Sequence, residues 1–379
     1  MDLKKASLKL HSKHQGKLAT LVTTPIKTKL DLTLAYTPGV AEASKAIVEN
    51  KEKLYELTIK GHMVAVVTDG SAVLGLGNIG PEAALPVMEG KAALFKTFAD
   101  LDAFPICLDT QDPKEIVNIV RSLAPVFGGI NLEDISAPRC FEIEESLQDL
   151  GIPVMHDDQH GSAVVVLAGL INACKVVGKN LSDLKVVVLG AGAAGTAIAG
   201  YLAKKVDDVL AVDTHGIVST KDKYLNEYRS RLANSTNKED IQGSLQDALK
   251  GADVFIGVSR ANLVKAEDIK LMAEKAIVIA MANPIPEIMP DEAKKGGAFI
   301  VATGRSDFPN QINNSLAFPG IFKGALSVKA ERITEKMKMA ASWALASLIK
   351  QPNRHKIIPG PFDKGLTETV AKAVAQAAS

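Results

Sequence analysis

Two pairs of adjacent acidic residues each follow a short apolar run in the first half of the chain. Glu133 and Asp134 stand in Gly-Ile-Asn-Leu-Glu-Asp-Ile, and Asp157 and Asp158 stand in Val-Met-His-Asp-Asp-Gln-His-Gly. If these runs are parallel strands, their carboxyl ends bring the carboxylates into one crevice. Crowded carboxylates repel one another unless a cation joins them, and hard oxygen ligands suit Mg²⁺ or Mn²⁺. Solvated loop residues are the alternative, since most acidic pairs are exposed.

A lysine and a tyrosine have settings in which they could move protons. Lys91 lies in the mostly apolar segment Met-Glu-Gly-Lys-Ala-Ala-Leu-Phe, where burial of an isolated ammonium would lower its pKa and make it a base. The alternative is a lysine whose stem packs while its head reaches water. Tyr36 precedes a Pro-Gly turn, from which its phenol could project into a site, but alone this position indicates nothing.

A glycine motif in the second half of the chain has the context that dinucleotide binding requires. Gly190, Gly192 and Gly195 form Gly-x-Gly-x-x-Gly, which follows an apolar run and opens an Ala-rich segment that begins with Ala193 and Ala194. The first glycine makes the turn, the second lets the backbone approach the pyrophosphate, and the third lets helix pack on strand. The helix N-terminus then offers free N–H groups to the phosphates. The motif predicts a dinucleotide site, with a mere tight turn as the alternative.

An acidic residue lies where such a site would bind the adenosine ribose. Asp213 closes the next apolar run, 23 residues after Gly190. Its charge would repel a 2′-phosphate, which favours NAD. His215, Lys221 and Lys223 follow closely and could accommodate NADP. NAD is therefore the predicted cofactor, and NADP stays open.

A second Gly-x-Gly-x-x-Gly match has a different context. Gly75, Gly77 and Gly80 do not directly follow a strand, and Pro81 and Pro86 crowd the helix that would come next. No acid ends a strand at the required distance. This segment is predicted to be a substrate loop.

Apolar runs alternate with helical patterns along the chain, which indicates an α/β fold. The first unit has predicted strands at 63–67, 105–108 and 154–155 and predicted helices at 86–98 and 113–123. A doubly wound sheet is outlined by strands at 186–189, 209–212, 254–258, 277–280 and 298–302. A buried helix at 161–174, a polar loop and helix at 219–240 and a helical tail at 328–348 complete the pattern. We predict two domains, at 1–160 and 161–379.

Composition narrows the class of partner. Of 379 residues, 47% are hydrophobic and 23% charged, which is typical of a globular protein. The 44 basic residues balance 43 acidic ones, so no global field attracts nucleic acid or an anionic membrane, and a small-molecule partner is favoured. The three cysteines form no disulfide framework or zinc pattern, which fits a reducing cytoplasm.

Two segments could be mistaken for targeting or membrane signals. The N-terminal lysines precede no apolar run of signal-peptide length and are interpreted as one solvated helix face, so no export signal is expected. Residues 186–203 lack charge over nearly the length of a membrane span, but four glycines divide them. They are interpreted as a strand, a tight turn and a buried helix.

Taken together, these segments resemble the short bacterial or archaeal form of the malic enzymes over nearly the whole chain. The motifs that carry the resemblance are Tyr-Thr-Pro-Gly-Val at 36–40, Thr-Asp-Gly-Ser at 68–71, Gly-Leu-Gly-Asn-Ile-Gly at 75–80, Glu-Gly-Lys-Ala at 89–92, Asn-Leu-Glu-Asp-Ile at 131–135, Asp-Asp-Gln-His-Gly at 157–161, Ala-Asn-Pro at 282–284 and Asn-Asn-Ser-Leu-Ala-Phe-Pro-Gly at 313–320. The resemblance implies a malic-type catalytic domain followed by a Rossmann-like domain and C-terminal helices.

The resemblance also implies roles for individual residues. The metal ligands would be Glu133, Asp134 and Asp158. Lys91 would be the general base, paired with Asp157, and Tyr36 the general acid. Asn283 and Asn314 would hold the substrate near the nicotinamide. The family further implies a homodimer, in which Tyr36 could serve the partner's site.

One departure concerns the substrate carboxylate. Longer members of the family have a substrate-binding arginine in the segment aligned with residues 71–73, where this chain has Ala72. Ser71, backbone N–H groups or an unidentified cation are the candidates to replace it.

The resemblance implies that L-malate is oxidised to oxaloacetate, decarboxylated and released as pyruvate, with NAD(P) and a divalent metal. Lys91 would accept the proton of the C2 hydroxyl, and Tyr36 would protonate C3. Three alternatives stay open: conversion of malate to lactate, another metal-assisted 2-hydroxy-acid dehydrogenase, and a non-enzymatic dinucleotide sensor.

Overall fold

The computed structural model describes residues 2–73 and 75–378, which fold around two sheets. The first sheet is parallel, has the strand order β2-β1-β3-β4, and is built from β1 (Met63–Thr68), β2 (Asp102–Cys107), β3 (Gly129–Leu132) and β4 (Val154–His156). Strands β1, β3 and β4 are buried along their whole length. Such continuous apolar runs are typical of parallel strands that helices cover on both faces.

The second sheet has six strands in the order β10-β9-β8-β5-β6-β7. They are β5 (Lys185–Leu189), β6 (Asp208–Asp213), β7 (Gly216–Ile217), β8 (Val254–Gly257), β9 (Ile277–Ala280) and β10 (Ile300–Thr303). Only the edge pair β6–β7 is antiparallel. The strand order changes direction at β5, which places a ligand crevice at its carboxyl end. The predicted α/β class with a doubly wound second sheet is confirmed.

Sixteen α-helices flank the sheets within the described residues. They are α1 (Leu3–His14), α2 (Lys29–Ala35), α3 (Val40–Glu49), α4 (Leu54–Leu57), α5 (Gly80–Leu94), α6 (Pro113–Leu123), α7 (Arg139–Ser146), α8 (Asp157–Val177), α9 (Ala193–Leu202), α10 (Glu227–Ser235), α11 (Leu245–Leu249), α12 (Ala266–Ile269), α13 (Pro290–Lys295), α14 (Phe318–Ser327), α15 (Glu335–Ser347) and α16 (Leu366–Ala377). Short 3₁₀ turns lie at Lys51–Lys53, Ile59–His62, Ala124–Val126, Leu181–Asp183 and Asn314–Leu316, and Phe95–Ala99 is π-helical.

Helix α8 is the central helix of the molecule. It is long and apolar enough to cross a membrane, but 83% of its most apolar window is buried inside the protein. It packs against α9 and α15, so its apolar side chains serve a core that both sheets share. The predicted division between residues 160 and 161 falls within this continuous helix, and the domain boundary stays a prediction.

Two prolines lie within helix α5, contrary to the expectation from the sequence. Pro81 and Pro86 were expected to crowd out a helix after Gly80, yet α5 begins at Gly80 and contains both. Pro81 lies in the first turn, where a backbone N–H has no helical partner to lose. The loop before α5 does lack the strand-to-helix turn of a dinucleotide motif, because β1 ends at Thr68, well before Gly75.

Candidate active site

The register of the first sheet brings the two acidic pairs together. Leu132 of β3 lies opposite His156 of β4, so the chain leaves both strands side by side, at Glu133 and at Asp157. The Glu133 amide donates to the Val67 carbonyl at 2.9 Å, which continues the ladder for one more residue.

Three carboxylates form a cluster at this edge. One oxygen each of Glu133, Asp134 and Asp158 lies within 4.8 Å of the others. Asp134 has a left-handed backbone, with φ of 53°, and its amide donates to Oδ2 of Asp158 at 2.8 Å. Its own Oδ2 is buried and accepts no hydrogen bond. A buried carboxylate oxygen without a partner beside two other acids is the environment that a cation completes.

The electrostatics of the cluster agree with that interpretation. Burial, followed by the charge of Asp158, raises the pKa of Asp134 to about 8. Burial also raises the pKa of Glu133 well above its usual range, although Lys91 opposes the shift. The three acids fit a divalent ion, since they supply only hard oxygen ligands, which Mg²⁺ and Mn²⁺ prefer.

Lys91 lies among these acids. Its Nζ is 2.5 Å from Oδ2 of Asp157 and 2.8 Å from Oε1 of Glu133, and it lies 4.2 Å from the centre of the Phe318 ring. The sequence suggested an isolated ammonium with a lowered pKa. That expectation is wrong for the cation-free protein: burial does lower the pKa of Lys91, but Asp157 and Glu133 raise it above its ordinary value.

The Lys91–Asp157 pair has the geometry for proton transfer. Asp157 is fully buried, and burial raises its pKa despite the attraction of Lys91. Its Oδ1 makes no hydrogen bond. A lysine and a buried carboxylate in short contact can exchange a proton, and the pair can therefore deliver or accept one at Nζ.

The two predicted asparagines lie across a cavity from the acids. Asn283, Asn314, Asp158 and Ser162 line one cavity of 340 Å³. Asn283 lies in the loop that follows β9, and Asn314 begins a short 3₁₀ turn. Both sheets therefore contribute to this cavity.

The predicted substrate loop, which contains Gly75, lines one side of this cavity. Gly75 has φ of 74°, and a Cβ there would lie 2.6 Å from the backbone oxygen of Asn283. Only a glycine permits this close approach. The predicted substrate loop thus contacts the second domain.

Ser71 and Ala72 lie beside the loop that carries Asp134. The Ser71 hydroxyl accepts the Ser136 amide at 2.9 Å, and the Ala72 amide donates to the Asp134 carbonyl at 2.9 Å. Sequence reasoning missed a nearby cation: Arg139 contacts Asp69 at 3.1 Å, and its buried Nε has no hydrogen-bond partner. Nothing in the sequence around Arg139, which begins α7, distinguishes it from a surface arginine.

Tyr36 is not part of the assembled cluster. It ends α2, is 67% exposed, and its hydroxyl makes no hydrogen bond within residues 2–73 and 75–378. The structure of one chain therefore brings together the predicted acids, Lys91 and the asparagines, but not Tyr36.

Glu144 is another residue that the sequence did not indicate. From α7 it accepts the His156 amide at 2.8 Å, Nε2 of Gln159 at 3.1 Å and the His160 ring at 3.0 Å. These bonds fix the first turn of α8, which carries Asp157 and Asp158. An acid on an amphipathic helix gives no signal of such a role.

The dinucleotide motif, Gly190, Gly192 and Gly195, forms the predicted turn between β5 and α9. Gly190 has φ of 113°, and a Cβ on Gly195 would lie 1.7 Å from the Gly190 carbonyl oxygen. Gly192 caps α9, which begins at Ala193 and Ala194. Gly190, Gly192 and Asp213 line a cavity of 650 Å³. The strand, turn and helix predicted for residues 186–203 are confirmed.

The two cavities are neighbours that share lining residues. Val258, Ser259 and Arg260 line both of them, and Ala194 lines the one that contains Asp158. A ligand held at the start of α9 can therefore extend towards the carboxylate cluster. The two cavities together have space for a dinucleotide whose reactive end would lie beside Asp158, one member of the carboxylate cluster.

Asp213 lies at the end of β6, as predicted, but its carboxylate is already engaged. Its Oδ2 pairs with Nη1 of Arg229, and its Oδ1 accepts the His215 amide at 2.8 Å. Of the cations that the sequence offered for NADP, Lys221 contacts Asp240 at 3.3 Å instead.

Comparison with known proteins agrees with this geometry. Residues 15–148 match the family model of the malic enzyme N-terminal domain, and residues 159–379 match that of the malic enzyme NAD binding domain. The bifunctional malic/malolactic enzyme of Bacillus subtilis is 55% identical over 383 residues, covering 100% of this chain and 93% of that protein. The NAD-dependent malic enzyme of Geobacillus stearothermophilus is 56% identical, covering 96% and 77%.

A solved structure matches the fold as closely. The crystal structure of the NAD-dependent malic enzyme from Thermotoga maritima is 51% identical and superimposes with a TM-score of 0.94, covering 97% of this chain and 98% of that one. Family models, relatives and fold agree over both halves of the molecule. The chain belongs to the malic enzymes, an oxidoreductase family whose reaction is the oxidative decarboxylation of malate.

Proposed function

We propose that this protein converts L-malate to pyruvate and CO₂ with NAD as the hydride acceptor, NADP as a weaker one, and Mg²⁺ or Mn²⁺ as the cation. The observation that carries the proposal is the unpartnered Oδ2 of Asp134, in a three-carboxylate cluster beside Lys91. The cluster adjoins a cavity that continues into the dinucleotide cleft.

The three carboxylates bind the cation, and Lys91 transfers protons. Glu133, Asp134 and Asp158 hold the cation, which supplies Lewis-acid polarisation of the substrate oxygen when it is bound. Lys91 first passes a proton from Nζ to Asp157 across 2.5 Å, and the neutral amine then accepts the proton of the C2 hydroxyl. The Phe318 ring packed at Lys91 limits the access of water to this proton.

Polar groups on both domains orient the substrate. Asn283 and Asn314 face the cavity from the second domain and donate hydrogen bonds to malate. Ser71, and Arg139 through its contact with Asp69, two residues before Ser71, take the place of the arginine absent at Ala72. Arg139 suits a carboxylate because its planar guanidinium can form paired hydrogen bonds.

We propose further that the protein is a cytoplasmic homodimer and that Tyr36 completes the partner's site as general acid. Helices α1, α2 and α3 bury none of their residues in the single chain. They expose a set of large apolar side chains: Leu3, Leu8, Leu10, Leu30, Leu32, Leu34, Val40 and Val48. A second copy that covers this surface would bring Tyr36, on the same surface, to another chain. The three cysteines are free, as a reducing compartment favours.

The test follows reduced nicotinamide by absorbance with purified protein, L-malate and Mn²⁺, comparing NAD with NADP and assaying pyruvate, oxaloacetate and lactate. Equal amounts of reduced cofactor and pyruvate, with NAD the better substrate, are expected. Accumulated oxaloacetate without pyruvate would mean dehydrogenation alone, and lactate without net reduction would mean the malolactic activity for which the Bacillus subtilis relative is also named. No turnover at all would favour a dinucleotide sensor.

A further inference from the structure

Arg229 is held between two aspartates at the edge of the dinucleotide cleft. From α10, its Nη1 pairs with Oδ2 of Asp213, while Nε donates to Oδ2 of Asp222 at 3.0 Å. The three side chains are only 10–14% exposed. Asp222 is itself fixed, since its Oδ1 accepts the Tyr224 amide at 2.9 Å. The guanidinium therefore has a fixed position, with one aspartate on the cleft side and one behind it.

The cleft side is where an adenosine ribose would lie. Asp213, Thr214 and Gly216 line the same cavity as Gly190 and Gly192. With Gly190 and Gly192 at the pyrophosphate, an acid at the end of β6 meets the ribose 2′ position. Arg229 does not line the cavity, because the Asp213 carboxylate stands between them.

We propose that Arg229 is a masked 2′-phosphate ligand and that Asp213, by occupying it, sets the preference for NAD over NADP. With Asp213 present, a 2′-phosphate meets a carboxylate whose counter-ion is already engaged. Without Asp213, the guanidinium held by Asp222 faces the ribose with its Nη1 free to donate. Arginine is suited to this task because its planar fork matches phosphate oxygens.

The other nearby cations are less suited to this role. Lys221 reaches Asp240, 3.3 Å from Oδ2, on the far side of the segment. The His215 ring stacks on Tyr224 with centroids 4.3 Å apart, and its amide is committed to Asp213. Lys223 is exposed. The His215 Nδ1 atom lies 3.6 Å from Oδ1 of Asp213, a longer contact than the ion pair between Arg229 and Oδ2 of the same carboxylate.

The inference rests on dinucleotide use in the proposed function, so its test measures nucleotide binding without malate turnover. Calorimetry compares 5′-AMP with adenosine 2′,5′-bisphosphate, which differ only in the 2′-phosphate, on the full-length protein. The wild type should bind 5′-AMP more tightly. Asp213→Ser should reverse the order and bind the bisphosphate about tenfold more tightly than the wild type does.

A second substitution identifies the cation. Asp213→Ser with Arg229→Gln should lose that gain, whereas Asp213→Ser with Lys221→Gln, the matched control, should keep it. A circular dichroism spectrum and a melting temperature like those of the wild type show that each variant is folded, and Arg229→Lys in the Asp213→Ser background replaces the glutamine variant if that one fails to fold. The lysine should then keep only part of the gain.

Two outcomes would overturn the inference. One is a bisphosphate gain that survives the loss of Arg229, and the other is the absence of any gain in folded Asp213→Ser. Failure of malate turnover in the wild type would count against the proposed reaction and leave these binding results intact.

Discussion

Helix α8 and the first three helices differ in how far the single chain buries them. Most of the 21 residues of α8 are buried, and its first turn carries Asp157 and Asp158. Helices α1, α2 and α3 have no buried residue, although each exposes large apolar side chains, and Tyr36 caps the end of α2. The single chain thus builds the acid and lysine cluster by itself, while Tyr36 lies on an apolar surface that the single chain leaves uncovered.

Mixed dimers test this difference most strongly. Tyr36→Phe and Lys91→Ala should each lower kcat by about a hundredfold or more, because each removes a proton-transfer group. If Tyr36 acts across the dimer, refolding the two variants together in equal amounts should restore about one quarter of wild-type activity, since half of the dimers then have one intact site. Each variant refolded alone is the control. A mixture that stays inactive would place Tyr36 in its own chain's site.

A buried and an exposed leucine allow the two regions to be compared by their effect on the free energy of unfolding. Leu170 lies in α8 and is fully buried, whereas Leu21, which precedes α2, is 87% exposed. Leu170→Ala should lower the free energy of unfolding by about 2–5 kcal/mol, because it leaves a cavity. Leu21→Ala should change that quantity by only about 0.5 kcal/mol in dilute protein. Urea unfolding measures both, and equal losses would show that the N-terminal surface is not open in the single chain.

The smallest expected effect concerns the carboxylate cluster without its cation. The pKa of Asp134 is about 8 in the folded chain, against an ordinary value of 3.8. Between these values the unfolded chain has lost this proton and the folded one retains it, so stability falls as pH rises through that window. With a chelator present, the free energy of unfolding should therefore fall between pH 5 and pH 8 by about 1–3 kcal/mol less in Asp134→Asn than in the wild type.

Unfolding at the two pH values checks this, with the exposed Asp109→Asn as the control. Adding Mn²⁺ should raise the melting temperature of the wild type and of Asp109→Asn but not that of Asp134→Asn. A decline with pH that is equally steep in Asp134→Asn would remove Asp134 as its source.

Elements with strong local patterns are predictable from the sequence. Helix α6 and strand β9 have the predicted bounds, because a proline at the first helical position marks the helix and three consecutive β-branched residues mark the strand. Helices α14 and α16 were not predicted. Gly320 and Gly324 weaken helical propensity in α14, but they let it approach Val370 and Ala371 of α16 closely. Packing between distant segments therefore overrides local preference.

The candidate site divides in the same way. The acids, the glycines and Asp213 could be located because each follows an apolar run. The raised pKa of Lys91 could not be predicted, since it depends on Asp157, 66 residues away. Nor could the pairing of Arg229 with Asp213, which joins a surface helix to a strand end. Charge partners depend on the fold, which the local sequence does not reveal.

The position of the acids at the start of α8 ties catalysis to the integrity of the whole molecule. The body of α8 is buried in the core and its first turn carries Asp157 and Asp158, so melting of this helix would displace both acids. Thermal inactivation and loss of helical circular dichroism should therefore share one midpoint, and the enzyme should have no partly melted state that still turns over.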